Sequence, residues 1–376
     1  MRVALIAESF LPRVNGVSNS VQKISTYFNS VGIENLIVTP EVPDNLTKSA
    51  WDGTHNIHRT KFIHLPIVPD FEIARSSVNQ LKKILLEFKP DVVHLASPFV
   101  LGWLGLRAAN SLNIPTVAIY QTDVSGFAKF YGFPIAAKMA ERWTLNIHQK
   151  ATLNLVPSTP ALEFFTSAGI TNSKIWGRGV DVELFHPNRK SEKLRRSFNV
   201  DGKTIVGFVG RLAPEKQVER LAGLDSSKYQ VVVIGDGPQR ENLHQLLPDA
   251  ILLGRLTGLD LATAVSSLDV LVAPGEHETF CQVVQEAMAA GVPVVAPNIG
   301  GPVDLVSQGL TGYLYQPGDT KSMVRAIDIL SNDAELRRSF GLAGRKKVEG
   351  NTWEQLSKQL IRHYLDVSQN IFEQAA

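Results

Sequence analysis

Apolar runs of strand length alternate with stretches of helical periodicity along this whole chain, and that alternation confines it to parallel α/β architecture. In the first half the runs fall at residues 3–7, 35–39, 92–95, 116–119 and 153–156, with helices expected near 18–31, 74–88, 100–111, 135–148 and 160–167. In the second half they fall at 205–209, 230–234, 250–253, 270–273, 294–296 and 313–315. Helices are expected there near 217–222, 240–246, 259–266, 282–290, 320–331 and 335–348. A charged stretch with a proline, His186-Pro187-Asn188-Arg189-Lys190-Ser191-Glu192-Lys193, separates the two series. A length of 376 residues exceeds one ordinary domain and suits two. The expected organisation is a Rossmann-like domain over 1–187, a second over 188–350, and a C-terminal helix over 351–376. The cleft between two such domains is the natural ligand site. The last helix carries Trp353, Leu356, Leu360, Tyr364 and Val367 on one face, after a cap at Asn351-Thr352.

Composition removes several classes of function. A hydrophobic share of 44% with 20% charged residues describes a soluble globular chain with ample core. The formal net charge of +2 is too small to imply a nucleic-acid partner. The single cysteine, Cys281, rules out a disulfide framework and a cysteine-rich zinc site, and fits a reducing cytosol. The chain opens on a strand pattern rather than a signal-peptide core, and no run of 18 apolar residues would span a membrane. A cytoplasmic protein is therefore expected.

The stretch from Gly275 to Gly291 carries the densest chemistry. It places Glu278 and Glu286 eight residues apart, between a buried strand pattern at 270–273 and the next strand after Gly291-Val292-Pro293. On one continuous helix they would stand roughly 12 Å apart along the axis and about 80° around it. That exceeds the carboxylate spacing of a glycosidase, about 5–5.5 Å or 6.5–9.5 Å. It suits two carboxylates gripping opposite ends of one long ligand, with the helix start near residues 279–282 aiming N–H groups at an anion between them. A nucleotide sugar has that form.

Two loops look made for phosphate. Residues 8–17 join the first strand to the first helix through Asn15-Gly16, where glycine permits close backbone approach; a plain turn is the alternative. After the run 205–209 comes Gly210-Arg211-Leu212-Ala213-Pro214-Glu215-Lys216. Arg211 can fork onto two phosphate oxygens and Lys216 adds a compact charge, so the pair could neutralise a diphosphate without metal. The alternative makes Glu215 and Lys216 a solvated helix start. Other motifs fail. Gly235-Asp236-Gly237-Pro238-Gln239-Arg240 has arginine where a dinucleotide fingerprint needs its third glycine. Residues 210–216 have the wrong spacing for a Walker loop. Asp181-Val182-Glu183 reads as structural, and His277-Glu278 lacks the second histidine of a zinc protease. Cys281 reads as a small buried residue rather than a nucleophile.

The chain resembles the retaining glycosyltransferases of the GT-B fold in glycosyltransferase family 4. The resemblance rests on the E-x7-E pair Glu278/Glu286, the R…K pair Arg211/Lys216 after Gly210, Asn15-Gly16, and Gly179-Val180-Asp181 followed by Phe185 and Pro187. It implies two Rossmann-like domains facing a central cleft, with the last helix crossing back to the first domain. It also implies that Glu286 binds ribose hydroxyls, that Arg211 and Lys216 hold the diphosphate, and that Glu278 with backbone N–H groups of Thr279, Phe280 and Cys281 holds the sugar. Arg255 falls where the family contacts the base. Many members carry histidine after the fourth strand near the acceptor; here the sequence reads Tyr120-Gln121-Thr122-Asp123, so Gln121 stands in its place and Asp123 becomes the polar group nearest the reacting carbon.

His94-Leu95-Ala96-Ser97-Pro98, Gln121-Thr122-Asp123 and the 277–282 segment are similar to bacterial GDP-mannose-dependent α-mannosyltransferases that act on glycolipids. The expected partners are a nucleotide-sugar donor, GDP-mannose, and a glycolipid or sugar acceptor, with no cofactor and no metal. A UDP-sugar transferase, a nucleotide-sugar 2-epimerase and a non-catalytic sugar-binding protein fit the same plan. Phe127, Phe130, Tyr131 and Phe133, followed by Lys138, Arg142 and Lys150, form a segment suited either to an anionic membrane surface or to the core.

Overall fold

The computed structural model describes all residues except 44–46, 48, 65–71, 124–125, 127–133, 199–201 and 376. The aromatic segment 127–133 thus lies outside the described residues. The chain forms two compact units, Met1–Gly177 with Trp353–Ala376, and Arg178–Thr352.

Unit 1 is built on strands β1 (Arg2–Ile6), β2 (Glu34–Pro40), β3 (Ile57–Thr60), β6 (Val92–Leu95), β7 (Thr116–Ile119), β8 (Leu153–Val156) and β9 (Ser173–Ile175). They form a parallel sheet in the order β3-β2-β1-β6-β7-β8-β9, while β4 (Phe62–His64) and β5 (Glu72–Ala74) make a separate antiparallel pair. The central strands are mostly apolar and almost wholly buried, with Arg2 half-buried at the start of β1 and His94 and Thr116 the buried polar residues of β6 and β7, as a parallel sheet covered on both faces requires. Asn15 starts the helix Gly16–Ser30 in a capping box with Ser18, its side-chain oxygen accepting the N–H groups of Val17 and Ser18 at 3.0 Å. The final helix, Trp353–Ala375, belongs to this unit. Leu360, Tyr364 and Val367 join the core with Phe28. The Tyr364 hydroxyl meets His94 Nδ1 at 2.5 Å, and Trp176 Nε1 donates to the Leu356 carbonyl at 3.0 Å.

Unit 2 repeats the logic with β10 (Thr204–Val209), β11 (Tyr229–Ile234), β12 (Ile251–Gly254), β13 (Val270–Val272), β14 (Val294–Pro297) and β15 (Gly312–Tyr315), ordered β12-β11-β10-β13-β14-β15. This is the doubly wound Rossmann order, whose direction reverses between β10 and β13. Its two ends meet: the Val180 N–H donates to the Asn351 carbonyl at 2.9 Å, in a bridge of Val180 with Thr352. The helix expected at 217–222 is instead a 3-10 helix, Val218–Gly223, preceded by Gln217 in the left-handed region at φ 52°.

Candidate active site

Open α/β sheets bind ligands outside the carboxyl ends of strands where the strand order reverses. In unit 2 those are the ends of β10 and β13, and the loops leaving them hold the polar cluster. After β10 the chain runs through Gly210 and Arg211 into a 3-10 turn, Pro214–Lys216. Glu215 is buried, contrary to a solvated helix start, and Lys216 turns towards the second loop. Lys216 Nζ and Glu278 Oε1 are 2.5 Å apart, with side chains only 24% and 20% exposed. Burial pulls the Lys216 pKa down, but the charge and hydrogen bond of Glu278 outweigh it, and the ammonium titrates above its usual range.

Glu278 lies in the loop before the helix Gln282–Ala289, and Glu286 lies within that helix. The pair is therefore not spaced along one helix, and the axial separation calculated for that case does not apply. Cys281 sits at φ 71°, a left-handed conformation that costs an L residue about 1–2 kcal/mol, and no side chain caps the helix after it. Its thiol is buried and pushed well above the usual range, first by desolvation and then by Glu278, which fits a structural cysteine. Two neighbouring structures hold the 275–281 loop. Gly300 and Gly301 press against it so closely that a β-carbon on either would overlap the Glu278 carbonyl or the Phe280 backbone, and the Gly301 N–H donates to the Glu278 carbonyl at 2.7 Å. On the other side Glu276 Oε1 accepts from Arg220 Nη1 at 2.5 Å and from the Gly318 N–H at 2.8 Å.

Glu286 is half-buried, and its carboxyl is raised to about 7 by desolvation, opposed by a hydrogen bond from Gln282 and by the charge of Arg178. Arg178 is held down to about 10 by desolvation, with Glu286 and then Glu278 pulling the other way. The structure thus brings Lys216, Glu278, Cys281, Glu286 and Arg178 into one electrostatic cluster. Arg211 is exposed at the end of β10, and its side chain makes no ion pair or hydrogen bond among the described residues. Two cations answer two carboxylates in the cluster, so Arg211 adds a positive charge suited to an anionic ligand. Arg255 is exposed just after β12. Thr279 is half-buried and Phe280 buried.

The remaining sequence-predicted residues lie in unit 1. Asn15 and Gly16 are exposed at the helix start after β1, and the Asn15 side chain is engaged with its own helix and, through Nδ2, with Ser9 Oγ at 2.6 Å. Gln121 is half-buried and donates to the Ala96 carbonyl at 3.3 Å. Asp123 Oδ1 accepts the Gly126 N–H at 2.8 Å. Asp123 also hydrogen-bonds Tyr120, whose hydroxyl is raised above its usual range by burial and then by that carboxylate.

Sequence reasoning passed over Arg178, Arg220, Glu276 and the Gly300-Gly301 pair. For Arg178 the signal was present, a cation directly before Gly179-Val180-Asp181. The glycines of Gly235-Asp236-Gly237 prove to be packing devices: Gly235, at φ 150°, lies against the Gly210 carbonyl with no room for a β-carbon. Asp181 accepts the Leu184 N–H at 3.0 Å, a turn contact.

Comparison with known proteins identifies the family. Residues 14–184 match the model for Glycosyltransferase Family 4, and residues 190–347 match that for Glycosyl transferases group 1. The chain belongs to glycosyltransferase family 4. This glycosyltransferase is 45% identical over 379 residues to a GDP-mannose-dependent alpha-mannosyltransferase of Mycobacterium tuberculosis, covering 100% of this chain and 99% of that protein. It is 32% identical to the sulfoquinovosyl transferase SQD2 of Arabidopsis thaliana, covering 94% of this chain and 71% of the relative. Among solved structures, sucrose-phosphate synthase of Thermosynechococcus elongatus aligns with a TM-score of 0.79 at 22% identity, over 97% of this chain and 98% of the other. Anabaena HepE in complex with UDP aligns at 0.79 and 19% identity, over 97% and 100%. The fold of this glycosyltransferase is GT-B, with two parallel-sheet α/β units.

Proposed function

We propose that this glycosyltransferase moves mannose from GDP-mannose to a glycolipid acceptor with retention of configuration. The observation that carries the reading is the end-to-end identity of 45% with a GDP-mannose-dependent alpha-mannosyltransferase. In this reading Glu286 accepts the ribose hydroxyls, and Arg211 and Lys216 take the diphosphate, with the Gly210 backbone close beside it. Glu278 and the N–H groups of Thr279, Phe280 and Cys281 hold the sugar, and Arg255 lies towards the base. The family resemblance assigns Asn15 and Gly16 to the donor residues and Gln121 and Asp123 to the acceptor residues.

The reaction is then a same-face substitution. The diphosphate leaves as an oxocarbenium-like centre forms, and its departing oxygen takes the acceptor's proton. The chain's contribution is positioning and stabilisation of leaving-group charge. In unit 1, the helix Pro134–Gln149 supports a lipid-borne acceptor. It exposes Ile135, Met139 and Trp143 at intervals of four, interleaved with exposed Lys138 and Arg142. Such a stripe fits the interface of an anionic bilayer. No helix among the described residues is long and apolar enough to cross a membrane.

The deciding experiment incubates the protein with GDP-mannose or UDP-glucose, each alone and with glycolipid in anionic vesicles. Nucleotide release that requires both GDP-mannose and acceptor is expected. Acceptor-dependent release from UDP-glucose alone would move the donor assignment. Sugar interconversion without acceptor would make the protein an epimerase.

A further inference from the structure

We propose that Arg220 and Glu276 are positioning residues, a clasp that holds the loop carrying Glu278 in register with the loop carrying Lys216. The inference rests on the donor-binding reading above and adds two residues to which that reading gives no donor contact. Two ion pairs join the same two connections, the one after β10 and the one after β13. Lys216 Nζ lies 2.5 Å from Glu278 Oε1, and Arg220 Nη1 lies 2.5 Å from Glu276 Oε1. The two backbones also meet directly: a β-carbon on Gly275 would stand 3.2 Å from the Glu215 carbonyl oxygen and 3.3 Å from Lys216 Cα. Both ends of the clasp are rooted. Arg220 lies in the 3-10 helix Val218–Gly223, whose Val218 and Leu221 are buried in the core cluster that holds Phe208 and Met323. Glu276 Oε1 also accepts the Gly318 N–H at 2.8 Å, from the connection after β15, and the Tyr315 hydroxyl donates to the Pro274 carbonyl at 3.3 Å.

The two pairs differ in what the donor asks of them. In the donor reading the diphosphate takes Lys216 and the sugar takes Glu278, so that pair exchanges partners when the donor arrives. Arg220 and Glu276 have no such exchange to make, and their side chains are only 17% and 19% exposed. A pair so shielded from water keeps more of its attraction than one on the open surface. It persists through the exchange and keeps the 275–281 loop at a fixed distance from Lys216. That distance matters because the sugar and its leaving group are gripped from different loops. A displacement of about 1 Å at a reacting group costs on the order of 10²-fold in rate.

The test measures kcat and KM for GDP-mannose with saturating glycolipid in anionic vesicles, and the inhibition constant of GDP. It compares the wild type, the double variant Arg220→Met/Glu276→Gln, and Arg220→Lys. The double variant removes both charges together, so no lone charge stays buried, and its urea midpoint should remain close to that of the wild type. Its kcat/KM is expected to fall on the order of 10²-fold, chiefly in kcat. GDP carries no sugar for the 275–281 loop to hold, so its inhibition constant should stay within about twofold. Arg220→Lys keeps a cation for the single contact with Glu276 Oε1 and should stay within about fivefold of the wild type. Wild-type kcat/KM in the double variant would make the pair purely structural and overturn the proposal. So would a loss shared equally by GDP and GDP-mannose. An unchanged donor kcat/KM in Glu278→Gln would sink the donor reading itself, whatever the clasp variants do. Arg220→Leu/Glu276→Gln carries the same expectation if the methionine variant does not fold.

Discussion

After β1 in unit 1 the polar groups answer one another, whereas after β10 in unit 2 they leave charge for something else. Both loops leave the first strand of a doubly wound sheet, beside the reversal of strand order. In unit 1, Glu8 is buried and uses both carboxyl oxygens on the protein, accepting the Ala74 N–H at 2.8 Å and the Leu101 N–H at 2.5 Å. Asn15 caps its own helix, and Arg59 is divided between Asp52 and the carbonyls of Pro40 and Leu11. In unit 2, Arg211 is exposed and unanswered among the described residues, and Glu286 is answered by side chains, a hydrogen bond from Gln282 and the charge of Arg178, rather than by backbone N–H groups. Burial lifts Glu8 and Glu286 alike to about 7. A raised carboxyl therefore does not separate scaffold from site. The chemical nature of its partners does.

The largest effect that would test this contrast is on stability. Glu8→Ala strands two buried N–H groups, each costing about 1–3 kcal/mol, and should lower the urea midpoint accordingly. Glu8 is raised above the usual carboxyl value of 4.5, so its titration adds stability that is full below that value and is lost as pH rises through about 7. The gap between wild type and variant should thus be widest below about pH 4.5 and narrow towards pH 8. A midpoint unmoved by the substitution would place Glu8 outside the scaffold. Next comes Arg211→Ala, expected to cost turnover on the order of 10²-fold, by analogy with a lost oxyanion donor, at an unchanged midpoint. Wild-type turnover there would remove the exposed cation from the chemistry and dissolve the contrast. The smallest effect belongs to Asn15→Ala, about 1 kcal/mol for a lost helix cap. Asn15→Ser should restore that stability, and a donor kcat/KM that stays low in the serine variant would show a ligand contact beyond the cap.

The sheet interiors were legible because buried parallel strands announce themselves as apolar runs. What was missed lay at the margins. Ile57-His58-Arg59-Thr60 and Ser173-Lys174-Ile175 form the two edge strands of the first sheet, where one side of the ladder faces no partner and polar residues are tolerated. At the candidate site, Lys216, Glu278 and Glu286 could be named because their residue types and spacing carry chemistry. Arg178 and Gly300-Gly301 could not, since their parts depend on contacts across about a hundred residues of chain or between separate loops. Local pattern records which groups a segment offers. It does not record which distant segment will press against it.

The routing of the chain has one more consequence. Unit 2 is nested inside unit 1, entered after Gly177 and left before Trp353, with its two ends joined side by side at Val180 and Thr352. During synthesis the nested half is released whole while its host still lacks the segment that covers His94 and Trp176. The host's hydrophobic interior is completed only by a segment made after the nested half, so a product cut short before Trp353 would keep a finished guest in an unfinished host.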